Sequence, residues 1–150
     1  MNVKENTVKL LTWLRRKGLT ALNLEKRLNE DSFVGTFHGT VSKFEESLVS
    51  MGFKRNPLAW IKFNQHGKTT ASWARRKSPL AHKQLHVTLQ STHNGSKTRV
   101  YAHREYSWAR HPIRHLQEKN VDYKGGSRRL RGILEGQMNQ DRMTYHVKGL

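Results

Sequence analysis

Two runs of alternating apolar and polar residues, 83–90 and 97–106, flank an Asn-Gly pair in the middle of the chain. Alternation with a period of two is typical of a strand that buries one of its faces. Asn-Gly is typical of a tight hairpin, because both central residues of a type I′ turn need a positive φ. The pattern therefore predicts an antiparallel hairpin with Asn94-Gly95 as a two-residue loop.

Counting outward from that loop sorts the two strands into an apolar face and a polar face. On the apolar face Leu89 lies opposite Val100, and Val87 lies opposite Ala102. Opposed residues of an antiparallel pair have Cβ atoms about 5 Å apart, so the polar face brings two imidazoles together. That face contains four predicted pairs: Gln84 with Glu105, His86 with His103, Thr88 with Tyr101, and Gln90 with Arg99.

A second pair of strand-like runs, 58–64 and 69–76, precedes the central hairpin. The short polar stretch between them contains His66-Gly67, and a glycine at this position is typical of a hairpin loop. We therefore expect a second hairpin with a two-residue His66-Gly67 loop. This loop would form three opposed pairs: Trp60 with Trp73, Ile61 with Ser72, and Phe63 with Thr70.

Apolar residues recur at helical spacing in two segments near the start of the chain, on either side of Gly18. They predict a helix at about 3–17 and a second, shorter helix capped by Thr20. Residues 1–32 are therefore expected to form a helical hairpin. A helix-turn-helix unit is an alternative interpretation of the same pattern.

The helical period returns after the central hairpin. Pro112 is typical of the first position of a helix. Gly125-Gly126 is expected to break the chain, and Ser127 to cap a last helix that ends near residue 134. Residues 136–150 are expected to form a frayed or loosely docked tail.

Between these segments, Ser42 and Glu45 form a capping box that predicts the start of a helix, which Gly52 would end. Together the elements predict one domain over 1–150, with a core at 40–134 made of a helix, four strands and two helices. The fold class is α+β: a four-stranded antiparallel sheet with N-terminal helices and two C-terminal helices. One face of the sheet would be covered by helices and the other left partly open.

The charge of the chain points to a polyanionic partner. There are 28 Lys and Arg residues against 11 Asp and Glu, which gives a net charge of +17 with neutral histidines. This excess favours nucleic acid, with RNA preferred over DNA, and an anionic membrane surface is the second candidate. The absence of cysteine excludes disulfides and thiolate zinc sites. No long apolar segment and no signal peptide are evident, so we expect a cytoplasmic protein with no membrane partner.

Arg and Lys clusters recur along the chain and are candidates for phosphate contacts, which supply sequence-independent affinity. Tyr101, Tyr106 and Trp108 are candidates for base stacking on the open sheet face, whereas Trp60 and Trp73 are expected in the core. The candidate nucleic-acid-binding residues are Arg75, Arg76, Lys77, Arg99, Arg110, Arg114, Arg128, Arg129 and Arg131.

The polar face of the central hairpin also has the residue types of a metal-independent, toxin-like endoribonuclease. RNA cleavage without a metal needs a general base, a general acid and a cation for the charge on phosphorus. His86 and His103 are candidates for the base and the acid because histidine populates both protonation states near neutral pH. Arg99 would hold the phosphate, Thr88 or Tyr101 would donate a hydrogen bond, and Glu105 would orient an imidazole.

Two further alternatives remain from the sequence. His111 and His115 have a spacing that could ligate a divalent metal together with His86 or His103, but no carboxylate stands at a suitable spacing. We therefore expect no metal and no cofactor. The third functional alternative is a structural component of a nucleoprotein assembly, with a protein partner or an acidic inhibitor.

Overall fold

The structure, a computed structural model, describes residues 25–56 and 61–147. Within them the chain forms eight strands, a short 3-10 helix (Glu30–Ser32) and three α-helices. The strands are β1 (Glu25–Arg27), β2 (Phe33–His38), β3 (Lys54–Arg55), β4 (Ile61–Asn64), β5 (Gly67–Lys68), β6 (Ala71–Arg75), β7 (Lys83–Ser91) and β8 (Lys97–Tyr106). The helices are α1 (Val41–Ser50), α2 (Pro112–Leu116) and α3 (Tyr123–Val147).

The strands form two sheets. A five-stranded sheet has the order β2-β8-β7-β6-β3, with every neighbouring pair antiparallel. A three-stranded sheet has the order β1-β4-β5, in which β1 and β4 run parallel. The predicted α+β class is confirmed, but the single four-stranded sheet is wrong. Phe33–His38, which the sequence analysis left outside the sheet, forms an edge strand on β8.

The predicted register of the central hairpin is confirmed, because β7 and β8 pair His86 with His103 and Val87 with Ala102. The turn itself is wider than a two-residue loop. The Thr92 carbonyl accepts a hydrogen bond from the Gly95 N–H at 2.9 Å, and the Thr92 N–H donates to the Lys97 carbonyl at 3.0 Å. Of the two predicted loop residues, only Gly95 has a positive φ, of 70°. The predicted register is nevertheless correct, because the alternation of apolar and polar residues along nine residue pairs determines it.

The predicted second hairpin has the wrong loop. Asn64 pairs with Gly67, so Gln65-His66 forms the turn between β4 and β5. The chain then leaves the small sheet, and Ser72 on β6 pairs with Thr88 of β7. Trp60, which is predicted to lie opposite Trp73, is outside the described residues.

The apolar core lies on one face of the five-stranded sheet. Val87, Leu89 and Val100 are fully buried there, and they pack with Leu48 of α1 and Leu130 of α3. This arrangement follows from the alternation along β7 and β8, because one face of the hairpin carries only apolar side chains over its central pairs. Both long helices therefore cover the same side of the sheet.

The helix boundaries differ from the predictions at both ends of the chain. Residues 1–24 lie outside the described part, but Glu25–Arg27 is a strand rather than the end of a helical hairpin. β1 takes this form because it pairs with Ile61–Phe63, a partner that is distant in sequence. At the other end α3 continues to Val147, where the sequence predicts a tail from residue 136.

The glycines near the start of α3 do not break the chain. The helix begins at Tyr123 and runs through Gly125 and Gly126, while Asp122 accepts a hydrogen bond from the Gly125 nitrogen at 2.8 Å. Gly126 is buried against β8, and a Cβ atom placed on it would lie 2.6 Å from the Arg104 nitrogen. The missing side chain lets the helix approach the strand backbone.

The capping box at the start of α1 is also shifted. Thr40, rather than Ser42, is the N-cap, and its hydroxyl accepts a hydrogen bond from the Lys43 nitrogen at 3.3 Å. Glu45 is used elsewhere, because its Oε1 accepts hydrogen bonds from Trp73 Nε1 at 3.0 Å and from Arg55 Nη2 at 2.9 Å.

A buried ion pair joins the small sheet to the segment after α2. Lys62 on β4 is buried, and its ammonium donates to Glu118 Oε1, while Lys26 on β1 reaches Oε2 at 3.2 Å. Burial would raise the pKa of Glu118, but the hydrogen bond and charge of Lys62 outweigh it, so that the pKa is lowered. A sequence pattern does not reveal this cluster, since Lys26, Lys62 and Glu118 come from three separate segments.

Candidate functional site

The polar face of the β7–β8 hairpin is buried, so the prediction of an open sheet face is wrong. Asn64 of the small sheet donates to the Tyr101 hydroxyl at 2.9 Å, which places that sheet over one end of the face. His115 of α2 lies 3.2 Å from Glu105 at the other end. The residues of this face that are at most 5% exposed are Gln84, His86, Thr88, Gln90, Tyr101, His103 and Glu105.

His86 and His103 lie in direct contact across the hairpin, as predicted. The Nδ1 atom of His86 is 3.1 Å from Nε2 of His103, and the ring centroids are 4.7 Å apart in an edge-to-face arrangement. The two imidazoles are only 2% and 5% exposed. In this conformation a phosphodiester does not reach them.

Glu105 is the centre of the cluster. Its Oε1 lies 2.9 Å from His86 Nδ1 and its Oε2 lies 3.0 Å from His103 Nε2. Gln84 donates to Oε1 at 2.9 Å, and His115 Nδ1 lies 3.2 Å from the same oxygen. Burial would raise the pKa of Glu105, but the charges and hydrogen bonds of the surrounding imidazoles outweigh it and hold that pKa well below its usual range. The predicted role of Glu105 as a partner of the imidazoles agrees with this geometry.

Ser72 contacts Nε2 of His86, the ring nitrogen that does not face His103. Its Oγ lies 2.5 Å from His86 Nε2, and Ser72 is half-buried on β6. Burial lowers the pKa of His86, against the charge of Glu105, which raises it. Sequence reasoning missed Ser72, because its position depends on the pairing of β6 with β7.

The other two predicted catalytic residues do not join the cluster. The Tyr101 hydroxyl donates to Gln90 Oε1 at 3.3 Å and accepts from Asn64, and burial raises its pKa. Arg99 is half-buried on β8, where it pairs with Thr36 of the edge strand β2. Tyr101 therefore helps to dock the small sheet.

The alternative metal pair of His111 and His115, which the sequence analysis does not favour, is divided between two places. His115 points to Glu105, whereas His111 Nε2 lies 2.8 Å from Nδ1 of His82 with the two rings stacked. His82 is exposed. His111 is the N-cap residue before α2, with a non-helical backbone, and His115 lies within the helix. The two imidazoles therefore contact different partners and do not form a shared ligand set.

A cationic groove of about 340 Å³ lies beyond the edge of this cluster. Ala74 is part of its wall and is also the cross-strand neighbour of His86, so the groove and the histidine cluster share strand β6. Among the described residues, no acidic side chain lines it. The lining residues are Gly52, Lys54, Arg55, Ala74, Arg76, Lys77, Ser78, Pro79 and Trp108.

Arg76 has an unsatisfied donor in this groove. Its Nη1 is buried and has no hydrogen-bond partner among the described residues. The guanidinium lies over the ring of Trp108 at 5.4 Å, and burial lowers its pKa. A guanidinium stays protonated at neutral pH. The groove therefore contains a fixed positive charge, and its unsatisfied Nη1 can donate to an anion after a rotation of the Arg76 side chain.

The remaining predicted basic residues have different surroundings. Arg131 donates to the backbone carbonyls of Val34 at 3.1 Å and Phe33 at 2.6 Å, so its guanidinium holds α3 against β2. Arg128 and Arg129 are exposed on α3. The structure places only two members of the predicted set in the groove, namely Arg76 and Lys77.

Three more predicted residues lie elsewhere: Arg75 lies over Phe53 at 5.9 Å, Arg110 donates to the Leu80 carbonyl at 2.8 Å, and Arg114 lies over Tyr106 at 5.2 Å. Lys54 and Arg55 were not among the candidates, although they form an adjacent basic pair in the sequence.

Comparison of the chain with protein-family models, curated proteins and solved structures found no match.

Proposed function

We propose that this protein binds nucleic acid and that the cationic groove holds a backbone phosphate. The observation that carries the proposal is the buried, unsatisfied Nη1 of Arg76 in a groove lined by Lys54, Arg55 and Lys77. A buried donor without a partner costs about 1–3 kcal/mol, and more for a charged group. Because Nη1 is buried, a phosphate oxygen removes this cost only after the Arg76 side chain has turned toward the groove. The phosphate then lies beside four cations, of which Arg55 is already paired with Glu45 at 2.9 Å.

Trp108 supports single-stranded nucleic acid as the partner. It is half-buried, and it lines the groove beside Arg76. Stacking of an unpaired base on an aromatic ring contributes about 1–3 kcal/mol. Single-stranded RNA is the form we favour, because unpaired bases in RNA loops are commonly recognised by stacking.

The histidine cluster does not contribute to this proposal. A ribonuclease that uses His86 and His103 needs both imidazoles at the phosphodiester, and these side chains are 2% and 5% exposed. The ribonuclease alternative therefore stays a prediction from the sequence. The nucleoprotein alternative also stays a prediction. Binding to a free oligonucleotide separates it from the proposal, because a purely assembly-dependent component would not bind one.

The test measures the affinity for a labelled single-stranded oligonucleotide by fluorescence anisotropy over a range of salt concentrations. The variant Arg76→Ala/Lys54→Ala removes two groove cations. Each lost phosphate contact lowers the slope of log K against log salt by about 0.7 for single strands. Both cations would hold the same phosphate, so we expect affinity to fall at least about tenfold and the slope to fall by about 0.7.

The matched control is Arg128→Ala/Arg129→Ala, which removes the same charge from the exposed face of α3. It should change affinity by less than about threefold, since only general attraction is lost. Equal losses in the two double variants would contradict a specific site at the groove. Wild-type protein that binds no oligonucleotide at low salt would contradict nucleic-acid binding altogether. RNA and DNA of the same sequence are compared in the same assay.

A further inference from the structure

The strongest unused feature is the meeting of three ligand atoms inside the domain. The two facing imidazole nitrogens are 3.1 Å apart, and Glu105 oxygens lie 2.9 Å from His86 Nδ1 and 3.0 Å from His103 Nε2. The three residues form the group whose ligand atoms all lie within 4.8 Å of one another. We propose that His86, His103 and Glu105 bind one divalent transition-metal ion.

The spacing of the ligand atoms fits coordination. Zinc–nitrogen and zinc–oxygen bonds measure about 2.0–2.2 Å, so neighbouring ligand atoms around one ion are separated by about 3.3–3.6 Å at tetrahedral angles and by about 2.8–3.1 Å at right angles. The three separations between these side chains are 3.1, 2.9 and 3.0 Å, which match ligands at right angles on one face of an ion. A tetrahedral ion would require the ligand atoms to move apart by a few tenths of an ångström. An ion would replace the protons that must otherwise stand between facing imidazole nitrogens and a carboxylate.

The outer contacts are those expected around metal ligands. A histidine that binds through one nitrogen usually donates the proton on its other nitrogen to an oxygen, which sets the tautomer. Ser72 Oγ, 2.5 Å from His86 Nε2, is such an acceptor and leaves Nδ1 as the ligand atom. Gln84 donates to Glu105 at 2.9 Å and holds the carboxylate.

His115 completes the surroundings as a positioning residue. Its Nδ1 lies 3.2 Å from the Tyr106 carbonyl and 3.2 Å from Glu105 Oε1, so this nitrogen carries a proton and donates to those oxygens. Through this contact α2 is tied to the ligands on β7 and β8. Because both histidine ligands are at most 5% exposed, the ion would cross-link the hairpin inside the domain.

The donor set indicates the class of metal. Two imidazoles and one carboxylate suit Zn²⁺, Co²⁺ or Fe²⁺, whereas Mg²⁺ and Ca²⁺ prefer sites made of oxygen alone. This inference is independent of the groove, because none of the proposed ligands lines it. The two proposals can therefore fail separately.

The experiment is a Co²⁺ titration of untagged, metal-depleted protein, followed by visible absorption and competed with Zn²⁺. We expect one Co²⁺ per chain with the absorption of a protein-bound ion, displacement by Zn²⁺, and a higher melting temperature in excess metal. Ser72→Ala keeps all three ligands and should weaken binding by about 10–100-fold, the usual effect of losing an outer contact. His103→Gln should abolish the absorption.

The control is His82→Ala/His111→Ala, which removes the exposed imidazole pair whose nitrogens are 2.8 Å apart. This variant should bind Co²⁺ like wild type. Loss of the absorption in the control, with unchanged binding by Ser72→Ala, would assign the ion to the surface and overturn the proposal. A wild-type chain that binds no Co²⁺ would overturn it as well, and neither result depends on whether His103→Gln folds.

Discussion

Replacing Gly126 by alanine tests the contact between α3 and the central strand. A Cβ atom at this position would lie 2.6 Å from the Arg104 nitrogen and nearer still to His103 Cα. These are backbone atoms of β8, which is paired on both sides by β2 and β7. No rotamer change can make room, so either the helix or the strand must shift.

The expected cost follows from two opposing effects. Overpacking a well-packed site costs about 1–3 kcal/mol, and the upper end applies here because the strand cannot move freely. Alanine gains about 1 kcal/mol over glycine through its helix propensity. We therefore expect a net loss of about 2 kcal/mol in the free energy of unfolding. For a chain of this size that corresponds to a fall of about 4–8 °C in melting temperature.

The assay is urea and thermal unfolding followed by circular dichroism, with Gly132→Ala as the matched control. Gly132 lies in the same helix, and nothing stands within 4 Å of a Cβ atom placed on it. Its replacement should stabilise the protein by up to about 1 kcal/mol. If Gly126→Ala is equally stabilising, the helix does not pack on β8 as described and the reasoning is refuted.

Two further predictions concern the ion pair and the helix cap. Because Lys62 holds the pKa of Glu118 below its usual value, the pair stabilises the fold above about pH 4.3 and less as the pH falls through the lowered pKa. Glu118→Gln should cost about 3–5 kcal/mol at pH 7 by leaving Lys62 buried without a counterion. The free energy of unfolding of this variant should depend less on pH between about 3 and 5 than that of the wild type. Identical pH profiles of the two proteins in urea unfolding would contradict this. Thr40→Ala should cost about 1 kcal/mol through loss of the N-cap, and Ser42→Ala should stay within about 0.5 kcal/mol; the reverse order would restore the capping box that the sequence predicts.

Local patterns were enough for the central hairpin and for part of the candidate site. The alternation over 83–106 predicted the contact of His86 with His103, because cross-strand partners in a hairpin follow from counting along the chain. The same counting placed Glu105 on their face. The turn type did not follow, since several loop conformations are compatible with one register.

Contacts between segments that are distant in the sequence could not be predicted from local patterns. β1 pairs in parallel with β4, so Glu25 lies beside Ile61, and no local pattern marks such a partner. The small sheet then covers the polar face through Asn64, which turns an expected open surface into a buried one. Gly126 shows the same limit, because a glycine that permits close packing has the same sequence signature as one that breaks a helix.

The sequence by itself determined the α+β class, the register of β7 with β8 and the excess of positive charge, because these depend on residue type and on neighbours along the chain. Only the tertiary structure decided which polar residues are buried and which basic residues share a groove. The free energy of a polar side chain depends on what covers it. Here the cover comes from β4, which is distant in the sequence, and from α2, which follows β8 and folds back over it. Arg76 illustrates this dependence: among the basic residues predicted to bind phosphate, it is singled out by a buried nitrogen without a partner, which residue type does not show.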